Sequence, residues 1–193
     1  MSNQLFDQEH FQSEDFTAQG LAPGRYEECI FTSCQLQGLD LSAYRFLECS
    51  FEDCDLSNVI LTETAFQEVL FRRSKLLGIH FSACRTFQLA LTFESCRLDY
   101  SSFAGLPLGG TSFKDCQLLE TDFVETDLSG ALFEHCNLEG AQFDQTKLQG
   151  ADLRTAQGFI IDPRSNDVRA AQFSLGGLPG LLTQYQIVVT PEL

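Results

Sequence analysis

Eight cysteines, three histidines and 27 carboxylates are the residues of this chain whose types could do chemistry. Cys29, Cys34, Cys49, Cys54, Cys84, Cys96, Cys116 and Cys136 lie mostly at multiples of five residues. Such a set invites two readings: a zinc centre or a disulfide framework. Zinc requires four convergent ligands, and none of His10, His80 and His135 shares the cysteine spacing. Disulfides require Cβ vectors that point at one another, whereas side chains in equivalent positions of a repeat run parallel. Thiol packing remains, because a free cysteine behaves as a small buried hydrophobe. The histidines have no nucleophile fixed beside them, and Gly109-Gly110 reads as turn chemistry rather than a phosphate cradle. General acid–base work would require a cleft in which carboxylate pKa values are perturbed. The expectation is therefore a binding protein: no enzyme, no metal and no cofactor.

The element that positions these residues is a repeat. From Phe31, steps of five give Leu36, Leu41, Phe46, Phe51, Leu56, Leu61, Phe66, Phe71, Leu76 and Phe81; backwards they give Tyr26, Leu21, Phe16 and Phe11. A second run begins at Phe93 and steps without a miss to Leu148 and Leu153. Five matches neither the 3.6-residue period of a helix nor the two-residue period of a strand. Two residues before each large side chain stands a small or β-branched one, such as Cys29, Cys34, Val59, Thr64, Cys96, Thr121 or Ala131. Residues two apart on extended backbone share a side. Each five-residue unit thus points one large and one small side chain inward. A twenty-residue period overlies the five: Phe31, Phe51, Phe71, Phe93, Phe113 and Phe133 form one column, and Leu36, Leu56, Leu76, Leu98, Leu118 and Leu138 the next. Four units make one square coil. The predicted fold is all-β, a right-handed quadrilateral parallel β-helix of about seven coils, with a short C-terminal helix and strand as its cap.

The two runs differ in phase. Phe81 and Phe93 are 12 residues apart rather than 10, which predicts a bulge within residues 82–92 with Phe87 as the candidate to fill the broken slot and Cys84 as the small slot before Thr86. The organisation expected is an N-terminal segment over residues 1–10, the repeat over 11–157, and a cap and dimerisation element over 158–193. Within the last, Leu178 to Tyr185 reads as one short helix with Pro179 in its first turn, and Gln186 to Thr190 as a strand.

The net charge of −15 repels nucleic acid and anionic membranes and attracts basic surfaces, including those of proteins that bind DNA. The plainer reading is that acidity keeps the chain soluble. Met1 to Asp7 carries no basic and apolar leader pattern, and no apolar run reaches the roughly 18 residues that span a bilayer, so the expected location is the cytoplasm. Candidate partner-binding carboxylates are Glu94, Asp99, Asp115, Glu120, Asp122, Glu134 and Glu139, with Glu94 and Glu134, and Asp99 and Glu139, expected to repeat at one-coil intervals.

Ala151-Asp152-Leu153, Thr126-Asp127-Leu128-Ser129-Gly130-Ala131 and Cys136-Asn137-Leu138-Glu139-Gly140-Ala141 resemble the A(D/N)LXX motif of the pentapeptide repeat family, over roughly Phe11 to Leu153. That resemblance implies the same square β-helix. A narrower resemblance is to the topoisomerase-protecting members: Qnr-type quinolone-resistance proteins, MfpA, and the microcin and albicidin immunity proteins. It rests on the opening Phe11-Gln12-Ser13-Glu14-Asp15-Phe16, on the exit Gly158-Phe159-Ile160-Ile161-Asp162-Pro163 and on the tail Leu181 to Val189. It implies a DNA-mimicking partner of DNA gyrase, making no direct contact with nucleic acid or membrane. It also implies a homodimer through Leu178, Leu181, Leu182, Tyr185, Ile187 and Val189. The loops that project from Qnr rods have no counterpart here beyond the two extra residues, which is closer to the loopless members. The alternative is a structural or regulatory scaffold for an unrelated protein; a mimic predicts a salt-sensitive complex, and an apolar scaffold contact does not.

Overall fold

The computed structural model describes residues 4–187 and Thr190. The strands are short and pair only in parallel. They are β1 (Leu5–Asp7), β2 (His10–Gln12), β3 (Arg25–Glu27), β4 (Ile30–Thr32), β5 (Arg45–Leu47), β6 (Ser50–Glu52), β7 (Ala65–Gln67), β8 (Val69–Arg72), β9 (Leu91–Glu94), β10 (Ser112–Lys114) and β11 (Leu132–Glu134). Two sheets result, β1-β3-β5-β7 and β11-β10-β9-β8-β6-β4-β2. Single parallel bridges at twenty-residue spacing, such as Gln35–Asp55, Gln117–Asn137 and Asp122–Gln142, pair the other sides. The chain is therefore a four-sided parallel β-solenoid. We number its faces in chain order: face 1 carries Tyr26, Phe46 and Phe66, face 2 Phe31, Phe51 and Phe71, face 3 Leu36, Leu56 and Leu76, and face 4 Leu41, Leu61 and Phe81. Seven strands on face 2 make six steps, roughly 29 Å along the axis at the usual strand spacing.

The large inward slot builds the core. Tyr26 and eleven phenylalanines are the largest side chains in it that are fully buried. Within a face their rings stack, with Phe93 and Phe113 5.1 Å apart at 7°. Between faces they meet edge to face, with Phe103 and Phe113 at 5.8 Å and 81°. Such a pair adds about 0.5–1.5 kcal/mol beyond the area it buries.

The small slot has a second task. Its hydrogen donor points at the carbonyl of the large residue 23 positions back. Thr64, Thr126 and Thr146 donate to Leu41, Phe103 and Phe123 at 2.7, 3.0 and 2.8 Å. On face 3 the donors are thiols: Cys34, Cys54 and Cys136 reach Phe11, Phe31 and Phe113 at 3.4, 3.4 and 3.3 Å, and Ser74 takes the same place against Phe51 at 3.1 Å. The donor gives that carbonyl a second bond beside its backbone one, and the slot accepts it without requiring it, since Val59, Val69 and Ala131 stand there with none. All eight cysteines are free and buried. Burial pushes Cys49 and Cys84 up to about 12, which keeps them protonated and unreactive at neutral pH.

The phase break is a turn on face 1. Phe71 and Phe93 are register partners, so face 2 runs through it unbroken. On face 1 the ladder stops at β7; the next level leaves the wall at Arg85, turns at Phe87-Gln88 with Gln88 at φ 56, and returns at Leu91. Phe87 does not fill the broken slot: it is 75% exposed, and Leu89 leans on the core instead. The two extra residues carry the Phe87 Cα outside the wall before its side chain can turn in. Cys84 takes the small slot, but Thr86 after it is exposed. Pro107, which has no N–H to offer, stands on the far side of the gap.

The ladder also reaches Phe6 at one end, stacked on Tyr26 at 4.5 Å, and Gln172, bridged to Asp152, at the other. Asn166 fills a small slot of that last coil, accepting from Thr146 N–H at 2.9 Å and donating to Phe143 O at 3.1 Å. Two 3-10 segments then close the end, Leu175–Leu181 and Thr183–Tyr185, in place of the single helix anticipated. They lie so close to Phe159 that a Cβ on Gly180 would stand 2.3 Å from its carbonyl oxygen. Of the expected strand, Val188 and Val189 lie outside the described residues, and Gln186 sits at φ 55, which no strand residue adopts.

Candidate interaction surface

The large and small slots point inward, so the three remaining residues of each unit make the surface, and the coil stacks them in columns. Residues twenty apart are neighbours, and with pairs two apart on one side, such as Arg154 and Asp152, that rule accounts for most of the charges that meet. Arg73 forks onto Asp53 at 2.8 Å, Lys147 reaches Asp127 at 3.4 Å, and Lys75 reaches Asp55 at 3.6 Å.

The seven candidate carboxylates do not converge on one face. Glu94 lies on face 2 and is held by Arg72 at 2.8 Å. Glu134 lies two coils along the same face, not one, because Lys114 stands between them in register and pairs with Glu134 at 3.8 Å. Asp115, at the next corner, faces His135 Nδ1 at 3.5 Å. Asp99 and Glu139 are likewise two coils apart, with Leu119 between them. Asp99 is buried, bonded to Arg97 at 3.1 Å and to the Leu119 N–H at 3.3 Å, and offers a partner nothing. The mistaken interval comes from taking forty residues for twenty.

Glu120, Asp122 and Glu139 differ. Among the described residues none has a basic partner. The Glu120 N–H donates to Glu139 O at 2.9 Å, so the two side chains leave neighbouring coils side by side. Glu125 and Asp144 repeat that relation at the other edge of face 4, at 2.8 Å, again without a basic partner. These five carboxylates form one uncompensated anionic surface over face 4 and both its corners. Glu125 and Asp144 were not among the candidates. For Glu125 the signal was available, since it has no Lys or Arg twenty residues away; Asp144 has Arg164 there, but that guanidinium forks onto Asp162 at 2.7 Å. A second uncompensated column, Glu28, Glu48 and Glu68, runs along the corner between faces 1 and 2, with Gln8 Nε2 donating to Glu28 at 2.8 Å.

The comparisons with known proteins follow this geometry. Residues 25–103 and 87–157 match the family described as the pentapeptide repeat region. The chain belongs to the pentapeptide repeat family. No curated protein matches it in sequence. Among solved structures, this pentapeptide repeat protein is similar to a trypsin-treated variant of QnrB1, a plasmid-mediated fluoroquinolone resistance protein. The TM-score is 0.62 and the identity 15%, over 97% of this chain and 92% of that one. Full-length QnrB1 gives 0.52 and 17%, over 95% and 100%. HetL, a pentapeptide repeat protein involved in heterocyst differentiation regulation in the cyanobacterium Nostoc, gives 0.30 and 16%, over 90% and 87%. At these identities the likeness to QnrB1 is one of fold.

The apolar end of this pentapeptide repeat rod is its C-terminal cap. Leu178, Tyr185 and Ile187 are exposed there, as are Leu175 and Ile160. Leu181 packs inward against the core and Leu182 is half-buried. Val189 lies outside the described residues. The Arg164 guanidinium stands 5.5 Å over the Tyr185 ring. Among the described residues no helix is long and apolar enough to cross a membrane.

Proposed function

We propose that this protein is a cytoplasmic, non-enzymatic DNA mimic that occupies the DNA-binding track of DNA gyrase or a related type II topoisomerase. It thereby protects that enzyme from quinolones or a peptide toxin, and it works as a homodimer joined through its C-terminal caps. The observation that carries the reading is charge on a rigid rod. A net charge of −15 along roughly 38 Å, the eight steps from the Phe11 level to the Phe173 level, is about one charge per 2.6 Å, against about one per 1.7 Å for duplex DNA. The five carboxylates around face 4 have no internal cation to spend their charge on, so they are free to meet a basic track. The likeness to QnrB1 supports the same reading. The apolar residues gathered at one end, Leu178, Tyr185 and Ile187 foremost, support pairing of two rods into a longer one.

The test is gyrase supercoiling with rising amounts of this protein, with and without a quinolone or peptide toxin. The expected result is inhibition at high dose and rescue from the poison at low dose. Both should be lost when Glu120, Asp122, Glu125, Glu139 and Asp144 are replaced together by Gln or Asn, with the circular dichroism unchanged. No effect of the folded wild-type protein in either arm sinks the reading in favour of a scaffold with another partner.

A further inference from the structure

Arg45 is anomalous. Among the described residues, every other arginine and lysine lies within ion-pair distance of a carboxylate. Arg45, exposed on a protein of net charge −15, does not. Its register partner on β3 is Arg25, so two like charges stand side by side on face 1, an arrangement that repels. Two coils further along the same face, past β7, is the phase break, with Phe87 at its tip and 75% exposed. Arg25, Arg45, Leu47, Gln67, Arg85 and Phe87 line a shared groove of about 380 Å³. The bulge that presents Phe87 is tied down: Gln67 Nε2 donates to Gln88 Oε1 at 2.9 Å, Arg85 N–H to Thr64 O at 2.9 Å, and Arg85 Nε to Glu63 at 3.1 Å. An exposed aromatic ring held in place before binding is the kind of group that anchors an interface.

We propose that this groove is a second docking site, of opposite sign to the acidic surface. It takes an acidic segment of the protein partner, one carboxylate on the Arg45 guanidinium and a neighbouring apolar side chain against the Phe87 ring. The free guanidinium calls for an anion, and the flanking ring and Leu47 call for apolar surface next to it. Face 1 adjoins the corner that carries Glu125 and Asp144, about two coils or 10 Å along the axis from the bulge, so one partner surface spans both. A uniform acidic rod would slide along a basic track; a cationic and aromatic notch at one level fixes its axial position.

The proposal rests on gyrase being the partner, and gyrase is the probe. Binding of the full-length protein to immobilised DNA gyrase is measured at several salt concentrations, beside F87A, R45Q, R45E and the five-carboxylate variant. Melting temperatures are followed in parallel by circular dichroism. We expect F87A and R45E each to bind about tenfold or more weakly with unchanged melting temperature, and R45Q to fall between R45E and wild type. The five-carboxylate variant should bind with a weaker salt dependence while keeping its response to F87A. Wild-type affinity in both F87A and R45E overturns the docking site and leaves the gyrase reading standing. Weakening by F87A alone, or tighter binding by R45E, overturns the acidic segment. If the wild-type protein does not bind gyrase, the reading above fails and this site fails with it.

Discussion

The coils below the phase break and those above it fill the same square in two ways. Below it, aromatic residues line adjacent faces, with Tyr26, Phe46 and Phe66 on face 1 and Phe31, Phe51 and Phe71 on face 2; above it they line opposite faces, with Phe93, Phe113 and Phe133 on face 2 and Phe103, Phe123 and Phe143 on face 4. The end coil with Phe6, Phe11 and Phe16 holds three aromatics. From Tyr26 to Phe143 the large slots of each coil hold two aromatic and two leucine side chains, save in the coil below the break, which holds Phe66, Phe71 and Phe81. The break follows at once, on the face that gives up its aromatic column, and only Leu89 enters there. Inward volume thus appears as the quantity each coil conserves, while the face that supplies it is free to change. Face 2 carries the register across, from Phe71 to Phe93, stacked at 5.5 Å.

Phe103 and Phe66 separate the two regimes most sharply. Phe103 lies between Phe81 at 4.8 Å and Phe123 at 5.4 Å and touches Phe93 and Phe113 edge-on. Phe66 ends its column, stacked only on Phe46 at 5.4 Å, in the coil with an aromatic in excess. Phe103→Ala should destabilise by about 3–5 kcal/mol, whereas Phe66→Leu should cost less than about 1.5 kcal/mol. Urea unfolding followed by circular dichroism measures both. Equal losses for Phe103→Leu and Phe66→Leu would break the volume argument.

The small slots give a middle-sized effect. Thr126 is fully buried and its hydroxyl donates to Phe103 O at 3.0 Å. Thr126→Val keeps the shape and leaves that carbonyl with the Leu106 N–H alone, at 3.1 Å, for a loss of about 0.5–1.5 kcal/mol. Cys54→Ser should stay within about 1 kcal/mol, because Ser74 already fills the same column one coil away with bonds to Phe51 O and Arg72 O. The same unfolding curves decide it, and a Thr126→Val variant as stable as wild type would reduce the slot to simple packing.

The residues explain why so much of this was legible beforehand. A period of five with a twenty-residue overtone assigns every large residue a face, and Phe71 to Phe93 could be placed from spacing alone. Phe6, Val168 and Phe173 lie on the same twenty-residue steps and could have been read too, but Gly158 and Pro163 interrupt the five and draw attention away. The bulge could not be resolved this way. Phe87, Leu89 and Leu91 all stand within an eleven-residue window, and which of them turns inward depends on where the wall resumes, not on hydrophobicity. The surface lay between these cases: many opposite charges two or twenty residues apart announce their pairing, but Asp144 stands twenty from Arg164 and stays free because Arg164 takes Asp162.

Corners provide the last contrast. Below the break they are mostly non-glycine residues in the left-handed region, including Glu28, Glu48 and Glu68 at φ 52, 52 and 53; above it Gly105, Gly110, Gly130, Gly140 and Gly150 take many of the same positions. A left-handed residue with a Cβ costs roughly 1–2 kcal/mol, and glycine recovers that less the 0.5–1 kcal/mol it loses in backbone entropy. Glu48→Gly should therefore stabilise by up to about 1 kcal/mol, the more so because Glu48 stands between two like charges. Gly130→Ala should destabilise by about the same amount, through φ alone, since a Cβ there meets nothing within 4 Å. Melting temperatures moving in opposite directions would mean that the lower coils keep strained corners at the expense of stability. If that strain is retained for the column of carboxylates it displays, Glu48→Gly should also weaken binding to a basic partner at low salt, and stability and affinity would part company at a single corner.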